Sequence, residues 1–318
     1  MAAPNMTASR LGQVNAAGDA DALFLKVFAG EVLTAFETKS VTLGRQLVRT
    51  ITSGKSATFP TTWKAAAAFH TPGSMIIGNA IKHNEKVIAI DGLLVADTFI
   101  ANIDEAMNHY DVRSIYSGEL GKALAVTLDQ FTFRELQIGA NNTTPTHGAG
   151  VGYAGTTLTE DANVTGKMIQ TDADDLASYI MDGAKTLDLH DVPDDDRYCI
   201  LNPTLYWLLL KSDLAVNRDY TDGGSVRTGK LWEIAGVEIV KSNNIPTTDL
   251  SAADQHAVNM TKALGYIYHK GAVGTVKLMD VALESEYLIT HQGTLMVGKV
   301  AAGHGYLRPE AIVALAAE

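Results

Sequence analysis

Two segments are the most informative about the fold of this chain: VTLGRQLVRTITSGKSATFP at residues 41–60 and KVIAI at residues 86–90. The first segment alternates and is rich in Thr, Ser and Val, which is typical of a β-strand with a turn or bulge at Gly54. The second segment predicts a returning strand, so the two are expected to form an extended hairpin. Because an isolated two-stranded hairpin is only marginally stable in water, this one is expected to lie on another surface.

The hairpin region is basic within an acidic protein. Residues 41–90 contain six basic residues and one acid, Glu85, which gives +5, whereas the whole chain carries −11 and the remainder therefore −16. Residues 160–197 contain eleven acids and three basic residues, a net charge of −8. We therefore hypothesise that the basic hairpin binds an acidic surface on another copy of the chain. A single exposed ion pair contributes only ~0.2–1 kcal/mol. Stabilisation of such a contact therefore depends on many ion pairs, repeated between copies of the chain.

A helical pattern follows the hairpin. Apolar residues recur at helical spacing from Ile103 to Ile138, and no proline occurs between Pro72 and Pro145. One helix over this range would extend about 54 Å at ~1.5 Å per residue. Such a helix is longer than the usual helix of a globular protein, which has about 11–12 residues. It is therefore predicted to be a long central support along which other elements pack.

The second half of the chain has an α/β pattern. Residues 141–155 are rich in Gly, Thr and Asn and predict a linker, which is the best domain boundary. A helix is predicted to start at residues 171–175, where acids suit the helix N-terminus. Strands are predicted at residues 198–201, 237–240, 265–269, 276–279 and 295–300, and further helices at 203–210 and 280–287.

Two segments partly match nucleotide-binding motifs. Residues 53–56 read SGKS, like the end of a phosphate-binding loop, but Arg49 stands where that loop requires Gly. Residues 150–155 match G-x-G-x-x-G, but loop-like sequence flanks them where the dinucleotide fingerprint requires a strand and a helix. A flexible linker is the better interpretation. A nucleotide-dependent enzyme that uses residues 150–155 stays as a less favoured alternative.

The remaining residues indicate neither catalysis nor a cofactor. The nine histidines lack metal-ligand spacing, and no nucleophile–base pairing is evident, so no catalytic, cofactor-binding or metal-binding residue is predicted. Cys199, the single cysteine, lies in an apolar run and is predicted to be a buried, inert thiol. No secretory signal and no apolar stretch of membrane-spanning length is seen, so no membrane partner is expected. The acidic balance disfavours nucleic acid as the main ligand.

Several sequence blocks carry a family resemblance. The strongest runs from residue 85 to residue 114 and includes EKVI, DGLL and DEAMNHYDVRS; others are ALFLKVF at 22–28, EVLTAF at 31–36, SGKSA at 53–57 with FP at 59–60, and the weaker LRPEA at 307–311. In these blocks the chain resembles the major capsid protein of T7-like short-tailed bacteriophages. The match is long and specific in the first 125 residues, looser beyond them, and departs most at residues 61–84.

This resemblance implies an α+β chain with the HK97-like capsid fold. The layout it implies is an N-terminal arm at residues 1–40, an extended β-hairpin loop at 41–86, a peripheral domain with a long spine helix at 87–149, an α/β axial domain at 150–300, and a C-terminal return to the peripheral domain at 301–318.

The resemblance also implies a structural role without a cofactor. Many copies would form the hexamers and pentamers of an icosahedral head around double-stranded DNA, which is enclosed without sequence-specific binding. A scaffolding protein would assist assembly, a portal protein would occupy one vertex, and the virion would be assembled in the bacterial host cytoplasm. An encapsulin-like compartment is the alternative that keeps the same fold.

The hairpin supplies the candidate contact residues between subunits. The family layout makes the neighbour's peripheral domain the favoured contact face, with the acidic region at residues 160–197 second. The loop candidates are Arg45, Arg49, Lys55, Phe59, Trp63 and Lys64, and the acidic partner candidates are Asp172, Asp174, Asp175, Asp194, Asp195 and Asp196.

Overall fold

The computed structural model describes residues 40–63, 65, 67, 69–76, 78–107, 112–145, 152–160, 169–212, 233–253 and 255–317. These residues form fourteen strands and four α-helices. The strands are β1 (Leu47–Thr50), β2 (Ser56–Thr62), β3 (His83–Ala89), β4 (Gly92–Ala101), β5 (Thr156–Thr159), β6 (Arg197–Leu201), β7 (Glu233–Ile234), β8 (Val237–Lys241), β9 (Asp249–Leu250), β10 (Val258–Asn259), β11 (Ala263–His269), β12 (Val273–Leu288), β13 (Gly293–Tyr306) and β14 (Ile312–Ala316). The helices are α1 (Asn102–Met107), α2 (Val112–Asn141), α3 (Ala173–Leu189) and α4 (Pro203–Leu209).

The first of two compact units contains residues 92–128 and 278–302. Its β4 and β13 pair in antiparallel register from Gly92 opposite Ala302 to Ala101 opposite Gly293. The part of α2 in this unit buries one apolar stripe against these strands, because its leucines recur every four residues and so share a helix face. The buried contacts are Leu120 with Ile100 and Met296, and Leu124 and Leu128 with Val300.

The second unit contains residues 41–91, 129–277 and 303–318 and holds the main core. Its six-stranded sheet has the order β5-β14-β11-β6-β8-β7. Neighbouring residues of β11 point to opposite faces, as a strand requires. Ile267 contacts α3 at Gly183, where an added Cβ would lie 2.5 Å from its Cδ1. Tyr266 stacks on Phe133 of α2, with ring centroids 5.9 Å apart.

The predicted helix over residues 171–187 is confirmed as α3. Asp172 is its N-cap, and its carboxylate accepts hydrogen bonds from the backbone N–H groups of Asp174 and Asp175. The acids of the first turn suit the positive end of the helix dipole. The apolar face behind them is buried and contains Leu176, Tyr179, Ile180, Ala184 and Leu187.

The structure corrects two sequence-based expectations and bears out a third in α2. Residues 280–287 are not helical, because β12 continues through them as a strand beside β13, and pairing overrides their helix propensity. The strand predicted at 41–59 is two strands: β1 pairs in parallel with β12, β2 pairs with β3, and Gly54 between them has φ of 111°. The helix predicted from Ile103 is confirmed in α2 and continues to Asn141, while residues 108–111 lie outside the described residues.

A buried carboxylate joins distant segments of the second unit. Asp129 of α2 is fully buried and accepts hydrogen bonds from Val41 N–H at 2.8 Å, Thr42 N–H at 3.3 Å and the Thr42 hydroxyl at 2.6 Å. The amide of Asn244 donates a further bond at 2.9 Å. These four bonds fix the start of the hairpin region and the loop after β8 to the same point on α2.

We expect Asp129→Ala to lower the free energy of unfolding of the purified chain by about 3 kcal/mol or more. The substitution leaves four donors without their acceptor, three of them in buried bonds, and an unsatisfied buried donor costs about 1–3 kcal/mol. Urea denaturation followed by circular dichroism measures the change. Asp97→Ala, which removes an exposed carboxylate from β4, serves as the control and should change stability by less than ~0.5 kcal/mol. Equal stabilities for the two variants would contradict the role assigned to Asp129.

Candidate functional site

The candidate site is the hairpin formed by β2 and β3. The strands pair in antiparallel register from Ser56 opposite Ala89 to Thr62 opposite His83. Backbone bonds extend the ladder at both ends, from Ile90 N–H to Lys55 O at 2.9 Å and from Trp63 N–H to Lys82 O at 3.0 Å. The predicted pairing of the two segments is therefore present over residues 55–63 and 82–90.

The base of the hairpin is packed into the chain's own core. Ala57, Phe59 and Ile88 form a small buried cluster with Val276 and Leu307. This burial follows from the alternation of β2, in which residues 57, 59 and 61 point inward. The base is therefore held by its own subunit.

Glycines of β13 permit this close packing. A Cβ at Gly303 would lie 2.0 Å from the carbonyl oxygen of Ala89, and a Cβ at Gly305 would lie 2.9 Å from Ile88. Both distances are shorter than real Cβ contacts allow. Gly303 therefore requires glycine because the backbone of Ala89 and Ile90 lies directly over it, and at Gly305 the Ile88 side chain fills the space that a Cβ would need.

The far end of the hairpin exposes large apolar side chains. Phe69 is 106% exposed and Met75 is 87% exposed, and Ile76 and Ile81 are exposed as well. Lys55 and Lys82, at the two ends of the ladder, are also exposed. Large apolar side chains exposed within one short segment are typical of interaction surfaces. We call the residues 69–76 and 81 the apolar tip.

The two predicted arginine contacts bind within their own chain. Arg45 donates to Glu238 at 2.6 Å and to the Val41 carbonyl at 3.0 Å, and its guanidinium lies 5.5 Å from the Tyr198 ring centroid. Arg49 donates to the Thr58 carbonyl at 2.8 Å. Its guanidinium also lies over the ring of Phe59, at 5.8 Å from the centroid.

The other loop candidates have different surroundings. Lys55 is exposed, Phe59 is buried in the cluster at the hairpin base, and Lys64 lies outside the described residues. Trp63 is partly exposed and packs beside Gly152, where an added Cβ would lie 3.2 Å from the indole. Of the described candidates, Arg49 and Lys55 are exposed and Arg45 and Trp63 partly exposed, whereas the Phe59 ring is buried in the hairpin base.

The acidic candidates contribute to local structure. Asp172 caps α3, and Asp174 accepts a hydrogen bond from the Ser212 hydroxyl at 2.6 Å. Asp194 lies 3.0 Å from the guanidinium of Arg197, a residue that is itself buried. Asp196 accepts from the Tyr198 hydroxyl at 3.2 Å and lies 3.7 Å from Lys270 Nζ. Asp175 is partly exposed and Asp195 is exposed.

The structure contains a charged cluster at the hairpin base that no feature of the sequence predicts. His256 Nε2 lies 2.9 Å from Asp91 Oδ2, and its Nδ1 lies 2.7 Å from Glu135 Oε1. Burial opposes the charge on His256, but the hydrogen bonds and negative charges of Asp91 and Glu135 outweigh it and raise the pKa of His256 to about 9. The three residues are far apart in the chain, so neither spacing nor a motif could have found them.

The glycine run at residues 150–155 does not form a phosphate cradle in its described part. Gly155 packs on the end of α2, where an added Cβ would lie 2.1 Å from the Gly139 carbonyl oxygen. A cavity beside Trp63, lined by residues that include His190 and Arg308, has a volume of about 150 Å³. Cofactor pockets usually have about 300–1,000 Å³, so this one is too small for a nucleotide.

Within the described ranges, no group of three or more His, Cys, Asp or Glu side chains is placed to hold a metal ion. None of the helices in those ranges has both the length and the apolar character needed to cross a membrane. Cys199 is fully buried, and burial raises the pKa of its thiol, which agrees with the inert thiol that was predicted.

Comparison with known proteins gives a consistent result. A family model described as "Gp10A-like: Major capsid protein" matches residues 58–316. The chain is 36% identical over 321 residues to the major capsid protein of Escherichia phage T7, covering 94% of this chain and 92% of the relative. It is 41% identical to the capsid protein in the capsid structure of the cyanophage P-SCSP1u, with a TM-score of 0.80 and 99% of each chain covered.

A more distant structure agrees on the fold. The mature capsid of bacteriophage PhiM1 has a TM-score of 0.74 at 19% identity, with 97% of this chain and 96% of that chain covered. These neighbours are phage capsids, and they confirm the α+β, HK97-like architecture that the resemblance implied. The enzyme and encapsulin-like alternatives are not favoured by these matches. The chain therefore belongs to the Gp10A-like family of phage major capsid proteins, which are structural subunits of the capsid shell and not enzymes.

Proposed function

We propose that copies of this chain form the hexamers and pentamers of an icosahedral head that encloses double-stranded DNA. Assembly in the bacterial cytoplasm, a scaffolding protein and a portal protein at one vertex belong to the same proposal. In this proposal the arm is residues 1–40, the extended loop 41–86, the peripheral domain 87–149, the axial domain 150–300 and the C-terminal return 301–318. The apolar tip is the observation that carries the proposal, because it needs a partner surface.

The partner surface for the tip is a second copy of the chain. Fully burying one large aliphatic or aromatic side chain contributes about 1.5–3 kcal/mol. Phe69, Met75 and Ile76 gain almost nothing of this in the single chain, since they stand in water. A shell repeats the same contact in every subunit, so a modest gain per copy becomes decisive for the assembly.

We propose that the acceptor surface is on β12 of the neighbouring subunit. Met279, Val281, Leu283 and Tyr287 are exposed, and as alternate strand positions they form one apolar stripe. Asp280, Glu284 and Glu286 add negative charge on the other face of the strand, where Glu284 pairs with Lys299, and this charge complements the exposed lysines of the hairpin. The earlier candidates from Asp172 to Asp196 rank second, because most of them already serve local structure.

The acidic balance supports the proposal that DNA is enclosed without tight binding. The chain carries −11, and phosphate contacts need concentrated Lys and Arg. A wall of low positive charge lets DNA move during packaging because few contacts must be broken.

We expect the double reversal Lys55→Glu and Lys82→Glu to abolish normal shells while the subunit stays folded. Both side chains are exposed, so the change alters the surface potential of the hairpin and not its packing. Electron microscopy and light scattering measure assembly, and circular dichroism measures folding. Reversal of Arg45 and Arg49 is less informative, because it also breaks bonds within the chain.

The matched control for this charge reversal is Lys211→Glu with Lys262→Glu. It changes the net charge equally at two exposed lysines outside the hairpin. Normal particles are expected from the control. Normal particles from the hairpin variant would contradict the proposal that its lysines contact another subunit.

We expect Phe69→Ser with Met75→Ser to reduce the yield of shells at least tenfold. The two side chains are exposed in the single chain, so their loss leaves the subunit's stability within ~0.5 kcal/mol of the original. Sedimentation of particles against free subunits measures the yield. The control is Leu189→Ser with Met181→Ser, which removes exposed apolar side chains of α3. Equal yields for both variants would exclude the apolar tip as the contact.

A further inference from the structure

The contact of His256 with two carboxylates places three segments at one point. Asp91 follows β3 at the base of the hairpin, Glu135 belongs to α2, and His256 lies in the loop before β10. The imidazole is 8% exposed, and the side chains of Glu135 and Asp91 are 9% and 22% exposed. This is the most enclosed titratable cluster beside the hairpin in the described part of the chain.

The geometry fixes the protonation state of His256. Each ring nitrogen lies within hydrogen-bond distance of a carboxylate oxygen, at 2.7 Å and 2.9 Å. A carboxylate only accepts, so both nitrogens must donate, and both donate only in the imidazolium form. A neutral ring would direct a lone pair at a carboxylate oxygen and lose one of the two bonds.

The two carboxylates extend the contact into the surrounding strands. The second oxygen of Glu135 accepts from the Tyr306 backbone N–H at 2.8 Å. Asp91 Oδ2 also accepts from the His304 N–H at 3.3 Å, and the Asp91 carbonyl accepts from the Gln255 amide at 2.6 Å. Loss of the His256 proton therefore removes the bridge between Asp91 and Glu135, and leaves Asp91 held by the His304 N–H and the Gln255 amide.

The other charged and titratable neighbours do not replace this proton. His304 is buried and shares its Nδ1 with the hydroxyls of Thr275 at 3.0 Å and Thr132 at 3.4 Å. Burial lowers the pKa of His304 to about 4, so it is neutral when His256 is charged. Arg134 of α2 donates to the Gln255 carbonyl at 3.2 Å, and its guanidinium lies over the ring of Phe131.

We propose that Asp91, His256 and Glu135 form a pH-operated latch that fixes the Asp91 side of the hairpin base on α2 and releases this contact when His256 loses its proton. The latch is a property of the single subunit. Its consequence for assembly rests on the function proposed above, because the hairpin that it holds carries the apolar tip.

The sign of the pH dependence follows from the pKa of His256. That pKa is about 6.5 in the released state and about 9 in the latched state. The protonated His256 therefore contributes its full stabilisation of the latched state below about pH 6.5. This contribution falls as the pH rises and is lost above about pH 9. Between these limits each pH unit shifts the ratio of latched to released molecules by about tenfold.

The test measures the position of the hairpin in unassembled subunits at pH 6 and pH 9.5. Nitroxide labels at Val87→Cys and Asn141→Cys report the distance from β3 to the end of α2, and both positions are exposed. The native Cys199 is fully buried and stays unlabelled. We expect a narrow distance distribution at pH 6 that broadens at pH 9.5, and an NMR titration of His256 near pH 9.

Substitutions separate the latch from general effects of pH. His256→Gln should broaden the distribution at pH 6 and remove its pH dependence, whereas His291→Gln, at an exposed histidine, should behave like the original. If His256→Gln does not fold, Asp91→Asn provides the second variant, and it should move the His256 titration toward pH 6.5. An unchanged label distance from pH 6 to 9.5, with His256 titrating near 6.5, would overturn the latch.

Shell formation is measured separately, at pH 6.5 and pH 9, by electron microscopy. Shells that form while the label distance is independent of pH would overturn the latch and leave the proposed function standing. Subunits that never form shells, but show the pH-dependent distance, would overturn the proposed function and support the latch.

Discussion

The buried carboxylate of Asp129 is the constraint on which the second unit depends. A charged group without access to water is tolerated only when each oxygen is hydrogen-bonded. Its donors come from residues 41 and 42 and from Asn244, which are distant in sequence. The chain must therefore return to one position on α2 from two directions. This requirement determines where the hairpin region begins relative to the six-stranded sheet.

The hairpin combines a fixed base with an exposed end. At the base, Gly303 and Gly305 let β3 lie directly on β13, and the Ile88 side chain is almost fully buried. At the other end, Phe69 and Met75 are in water. The buried base orders the strands without using the apolar tip, so the tip stays available for a surface outside the subunit. Stability of the subunit and the contact that we propose with another copy therefore involve different residues.

The sequence predicted what depends on local pattern and missed what depends on distant contacts. The apolar face of α3, its capping acids and the pairing of β2 with β3 were predictable, because periodicity and turn residues determine them. Residues 280–287 were misassigned, because Ala, Leu and Glu favour a helix and only pairing with β13 makes them a strand. The intrachain bond of Arg45 with Glu238 and the cluster around His256 join segments more than 100 residues apart, which no spacing rule connects.

Two carboxylates of the same helix hold the two ends of the hairpin region by different chemistry. Asp129 binds residues 41 and 42 through neutral N–H and hydroxyl donors, which do not titrate near neutral pH. Glu135, further along α2, reaches Asp91 only through the cation of His256. The first anchor is therefore permanent over the range in which the second depends on one proton. Because the adjoining hairpin base is buried, the charge of His256 decides how firmly Asp91 is held beside α2 and not whether the two strands stay packed.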